Sequence, residues 1–137
     1  MNPDLRIEAA ELRQKSSKAA TDWLLTRYPV GSADWGNALT LLEHISLRHA
    51  DRMVTARHYL SRIPYASDRP YRVFAKLLQL DDLVRVLSDS LPTAPEDRKL
   101  VRYHVEPVLR GMDGSESAKE IVDLFVSTLS PGQPGAG

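Results

Sequence analysis

Cysteine is absent from the 137 residues, which removes disulfides, thiol nucleophiles, thiol redox couples and cysteine metal sites together. Net charge is absent too. Eighteen basic and eighteen acidic side chains cancel, so no global field collects nucleic acid. No stretch approaches the roughly 20 apolar residues of a membrane span, and Met1 to Glu11 lacks the apolar core of a signal peptide. The expectation is a cytoplasmic protein with no membrane partner. The seven glycines stand away from any strand-to-helix junction, and no phosphate loop or strained nucleophile turn can be read. Sustained period-2 alternation is missing as well, which excludes a sheet and points to an all-α chain.

What is present is compatible with one globular unit. A 42 % hydrophobic fraction and 26 % charged fraction suit a chain long enough to bury one core without staples. The reading is a single helical domain over 1–129 followed by a disordered tail, "SPGQPGAG", at 130–137.

Prolines punctuate four helical blocks, because the residue before a proline is pushed out of helical geometry: Tyr28-Pro29, Ile63-Pro64, Leu91-Pro92 and Ser130-Pro131. In the first block Asn2 is a cap candidate and Pro3 suits the first turn. Leu5, Ala9, Leu12, Ala19, Ala20 and Trp23 then share one face. In the second, Ser32 is a cap candidate and an apolar face runs in one phase from Trp35 to Ile63, as one long helix or as two with a break near Arg48 to Ala50. The third block must break at Gln79 to Asp81, since Tyr71, Phe74, Leu77 and Leu78 share one face and Leu83, Val84, Leu87 and Leu91 another; Asp81 is the cap candidate. The fourth opens on a Thr93–Glu96 capping box, runs through Leu100, Val101, Val105 and Val108, and stops at Gly111, with a last helix opened by Ser117 and Glu120. Six or seven helices result, packed as helical hairpins in a compact bundle or a short solenoid-like stack. The turn "IPYASDR" at 63–69 is echoed by "LPTAPEDR" at 91–98, which fits stacked helical hairpins of the solenoid kind or, as the plainer reading, stop-and-cap chemistry that looks alike wherever it occurs.

Candidate chemistry is thin. His44 and His49 are five apart and diverge, His58 and His104 stand alone, and no metal site or cofactor is expected. His49 lies in the apolar face of the second block, where burial would disfavour its charge and make a local pH sensor. Asp81 and Asp82 are adjacent and so diverge on a helix. No catalytic residue is assigned.

The distribution of charge says more than its sum. Residues 48–76 carry seven cations against two carboxylates, six of the seven being arginine, whereas 77–137 are net acidic. On the helix starting near Arg69, the cations Arg69, Arg72 and Lys76 occupy one sector opposite Phe74 and Leu78, so burying the aromatic face turns them outward. Arg48 and Arg52 are i, i+4 neighbours on the preceding element, Arg62 sits at its end, and Tyr65 and Tyr71 offer aromatic anchors. Arginine grips carboxylates bidentately and stacks on tyrosine. The sequence therefore points to a non-enzymatic protein-binding module (adaptor, regulator, chaperone or inhibitor) that docks an acidic partner surface. Self-association of the basic middle with the acidic end is compatible with it. A nucleic-acid-associated regulator using the same face is the alternative, and an enzyme of unrecognised type stands third.

Overall fold

The computed structural model describes residues 1–129. Among these the chain is all-helical, without a strand, in eight helices: α1 (Pro3–Arg13), α2 (Ser17–Arg27), α3 (Gly36–Leu42), α4 (His49–Tyr59), α5 (Arg69–Leu77), α6 (Leu80–Asp89), α7 (Pro95–Arg110) and α8 (Glu116–Leu129). The tail expected to be disordered, 130–137, lies outside the described residues.

The count exceeds the expected six or seven because the first block also divides, while the second takes its two-helix form. The first breaks between Arg13 and Ser17, where Ser16 is extended and its hydroxyl accepts the Ala19 N–H at 3.1 Å. The second breaks over residues 43–48, with neither glycine nor proline to mark it. Side chains hold that break open. Arg13 Nε donates to the His44 carbonyl at 3.0 Å, Arg52 donates to the Leu47 carbonyl, and the Arg48 N–H donates to Ser17 Oγ at 2.8 Å. Orphaned backbone groups at a helix end need such partners. One result is a correction for His49: as the first residue of α4 it is exposed, so the burial expected to suppress its charge is not there.

Capping is partly as the sequence suggests. Asn2 Oδ1 accepts the Leu5 N–H at 2.8 Å, with Pro3 opening α1. The other cap candidates are displaced. Ser32 bonds the Pro29 carbonyl instead, and α3 starts after Trp35. Asp81 lies inside α6, whose cap position is Gln79, and its carboxylate accepts from the neighbouring Asp82 N–H. Ala94 holds the cap position of α7 because Pro95, which has no N–H to satisfy, occupies the first turn; Glu96 pairs with Lys99 instead of Thr93. Ser115, not Ser117, accepts the Ala118 N–H at the start of α8.

The helices gather into two compact units, the first from Met1 to Tyr59 and the second beginning at Leu60. In the first, α1 packs on α3 and α2 on α4. Leu5, Ala9 and Leu12 from α1 and Leu24, Leu41, Leu42 and Ala56 from the others are buried. Tyr59 is fully buried, and its hydroxyl donates to the Tyr28 carbonyl at 2.8 Å and the Leu24 carbonyl at 3.2 Å, fastening the end of α4 to the end of α2. Burial without a compensating charge drives the pKa of this phenol up. Ser17 at the start of α2 also donates to the Asp51 carboxylate at 2.6 Å.

In the second unit α7 packs most extensively on α8, α5 packs on α7 and α6 on α8, and α5 touches α6 less. Its core is built by Tyr71, Phe74, Leu83, Leu87, Val101, Val105, Leu109, Val122, Phe125 and Leu129. The Leu78-Gln79 break reconciles the two apolar faces of the third block, as their mismatch requires: Leu78 is extended, and Phe74 and Leu83 are both fully buried.

Candidate functional site

The cationic row grows out of the way α5 is made. Pro70, Tyr71, Val73 and Phe74 turn inward, which leaves Arg69, Arg72 and Lys76 on the other side at i, i+3 and i+7. Arg72 and Lys76 are exposed and Arg69 is half-buried. Asp68 holds the cap position but spends its carboxylate on Arg72, whose Nε donates to it at 3.0 Å. This pair fixes the guanidinium along the helix at little energetic gain, being surface-exposed.

The other expected binding residues fall in different environments. Arg62 is exposed in the turn before α5, and Tyr65 is half-buried, its phenol pKa raised chiefly by burial and held back by the Arg62 backbone and charge. Tyr71 is only 1 % exposed, its hydroxyl is buried without a well-formed hydrogen bond, and its pKa is pushed up to about 12 by burial. Its ring lies 6.3 Å from that of Tyr65. This corrects the anchor assignment: Tyr71 is a core residue, since the phase that turns the cations out turns it in. Arg48 and Arg52 belong to the first unit. Arg48 is exposed, while Arg52 is half-buried, with its guanidinium on the Leu47 carbonyl.

Helix α7 carries a second feature. Val101, Val105 and Leu109 are fully buried, so residues out of that phase must face away. Leu100, expected in the apolar stripe, is 38 % exposed, and Tyr103 is 75 % exposed. With the exposed Pro107 they form an apolar strip at i, i+3 and i+7. The signal was available. Tyr103 stands two residues from both Val101 and Val105, which places it on the opposite face.

A groove lies on each side of Pro107. The one towards α5, about 560 Å³, is floored by Ala75, Val108, Gly111 and Met112 and rimmed by Asp68, Arg72 and Lys76. The other, about 580 Å³, runs beside Tyr103 and is rimmed by Lys99, Arg102, Glu106 and Arg110. The groove linings together hold five cations and two carboxylates, and Glu96 on Lys99 with Asp123 on Arg110 brings the local balance to five cations against four carboxylates. Glu106 bridges Arg102 and Arg110 at 3.0 Å each, and Arg110 reaches Asp123 at 2.9 Å. The Arg102 hydrogen bond, with help from Arg110, holds the Glu106 carboxyl below its ordinary value against partial burial. Cations of fixed orientation around an apolar floor can grip carboxylates while hydrophobic groups are buried between them.

Smaller cavities include one of about 290 Å³ at the turn between α5 and α6, one of about 280 Å³ beside Arg110 and Lys119, and one of about 390 Å³ in the first unit beside Glu8, Arg27 and Tyr28. In the last, the Tyr28 hydroxyl donates to Glu8 at 2.6 Å and Arg27 lies over the Tyr28 ring at 4.5 Å. Among the described residues no cluster of three histidines or carboxylates could hold a metal ion, and no helix is long and apolar enough to cross a membrane.

Comparison with known proteins finds no matching family model, no matching curated protein and no matching solved structure. The residues themselves therefore carry the functional argument.

Proposed function

We propose that the protein is a non-enzymatic binding module (an adaptor, regulator, chaperone or inhibitor) that acts in the cytoplasm by capturing another protein through an acidic surface. Arg72 and Lys76 form the α5 side of the contact, with Arg69, Arg62 and Tyr65 beyond the groove. The helices packed on α5 serve as the scaffold that holds the cationic helix rigid. The observation that carries the reading is the rim of five cations and two carboxylates around an apolar floor, in a chain without net charge. Protein hot spots combine arginine and tyrosine with a desolvated apolar centre. Nucleic-acid binding would use the same cations on phosphates, but it gives the apolar floor nothing to do.

The test is affinity capture from a native cell extract followed by mass spectrometry, comparing the wild type with Arg69→Glu/Arg72→Glu. Loss of the captured partner with unchanged helical circular dichroism is expected. Undiminished capture by the double variant would overturn the reading.

A further inference from the structure

Four of the five tyrosines are accounted for by folding. Tyr28, Tyr59 and Tyr71 are buried, and Tyr65 is half-buried against Tyr71. Tyr103 is the exception, a large aromatic side chain three-quarters exposed in the middle of a sixteen-residue helix. Exposing it leaves apolar area in water that burial would remove favourably. Leu100 and Pro107 extend that area along the same face of α7, over about 10 Å at 1.5 Å per residue.

Such a strip restricts the form of what covers it. An extended segment laid on an apolar face must satisfy its own backbone N–H and C=O groups, and among the described residues there is no strand edge to pair with. A helix brings its backbone already paired. Two to three turns of helix match the length of the strip, and apolar residues at i, i+3 or i+4, and i+7 would meet Leu100, Tyr103 and Pro107 ridge to groove. The charge around the strip fixes the sign of the flanks. Arg72 and Lys76 border it with Asp68 through one groove, and Lys99, Arg102 and Arg110 with Glu106 through the other, so the partner's carboxylates would compete with exposed ion pairs for an excess of cations.

We infer that the partner element is an acidic amphipathic helix of two to three turns, seated along α7 with Tyr103 as its central anchor and its carboxylates on the cations of both grooves. This rests on the protein-binding reading and adds to it the form of the ligand and the residue that anchors it. Arginine and tyrosine at the centre of an interface carry a disproportionate share of its energy. Tyr103 is expected to matter more than any single cation, because the rim charges stay partly hydrated in the complex.

The experiment uses the full chain and a fluorescein-labelled synthetic peptide of fourteen residues, with leucines at helical i, i+3 and i+7 spacing, glutamates on the flanking positions and alanine elsewhere. Fluorescence anisotropy is expected to show saturable binding, weakened at least about tenfold by Tyr103→Ala and by Arg72→Glu/Lys76→Glu. The lysine version of the peptide is expected not to bind. Circular dichroism of Tyr103→Ala should match the wild type, since the side chain supports no core contact. No binding of the glutamate peptide, or equal binding by Tyr103→Ala, would overturn the inference. Sedimentation of the wild type as a dimer that Tyr103→Ala dissolves would also overturn it, by naming a second copy as the occupant. Failure here with capture still lost in Arg69→Glu/Arg72→Glu leaves the protein-binding reading standing and removes only the helix. Failure of both removes the pair.

Discussion

Replacing Tyr59 by phenylalanine removes one oxygen from the middle of the first unit and nothing else. The side chain is fully buried, with its hydroxyl on the carbonyls of Tyr28 and Leu24. These two acceptors do not suffer equally. The Leu24 carbonyl keeps the Tyr28 N–H at 2.8 Å as a helical partner, whereas the Tyr28 carbonyl depends on the phenol. The variant therefore leaves one buried acceptor unsatisfied, a loss of about 1–3 kcal/mol, offset in part because a phenyl ring is easier to desolvate than a phenol. A net destabilisation of about 1–2 kcal/mol follows. Urea unfolding followed by circular dichroism would show it as a midpoint lowered by roughly half a molar to one molar, at an m-value of about 2 kcal/mol per molar. Tyr103→Phe is the matched control, the same chemical change at an exposed position, and should stay within about 0.5 kcal/mol of the wild type. Equal midpoints for Tyr59→Phe and the wild type would refute the claim that this hydroxyl fastens α4 to α2.

Other consequences follow from the caps and ion pairs. Ser16→Ala should cost about 1 kcal/mol, because Ser16 caps α2, while Thr93→Ala should be close to neutral because Thr93 caps nothing; thermal melts of the two variants measure the difference. Ser17→Ala removes both the donor to Asp51 and the acceptor for the Arg48 N–H, and about 1–2 kcal/mol should be lost, read by the same melts. Glu106 has a lowered carboxyl pKa in the folded chain, so its pairing stabilises above the unfolded value near 4.5 and is lost as pH falls through the lower folded value. The stability gap between wild type and Glu106→Gln should therefore shrink below about pH 4.5 in a pH series of urea titrations, and a gap that widens there would contradict the assigned pairing.

How far the sequence could be read depended on whether a boundary is written locally. The break between α5 and α6 was legible because the apolar phases of Phe74 and Leu83 cannot share one straight face. The division of the first block was less so, since Ala19, Ala20 and Trp23 happen to continue the phase of Leu5, Ala9 and Leu12. Ser16, a good cap, was its only mark. The break over 43–48 is held by Arg13, Ser17 and Arg52, of which the first two lie about thirty residues away. No local pattern records such contacts, and carrying the apolar phase through the break is what put His49 in the interior. The outward placing of Arg72 and Lys76 follows from the phase of α5, and the same phase buries Tyr71. Tyr103 was readable from the spacing of Val101 and Val105 and was lost by placing Leu100 in their stripe. The groove itself was not readable, because it needs residues 72–76 beside residues 107–112, and that juxtaposition is made by the packing of α5 on α7.

The central claim is that the cationic, apolar-floored face of the second unit binds a protein. Side-by-side capture from native extract by the wild type, Arg72→Glu/Lys76→Glu and Arg85→Glu, a cation of α6 outside both grooves, tests it most directly. One protein retained by the wild type and by Arg85→Glu, and lost from the double variant at unchanged helicity, is the expected result. Equal retention by all three would contradict the account.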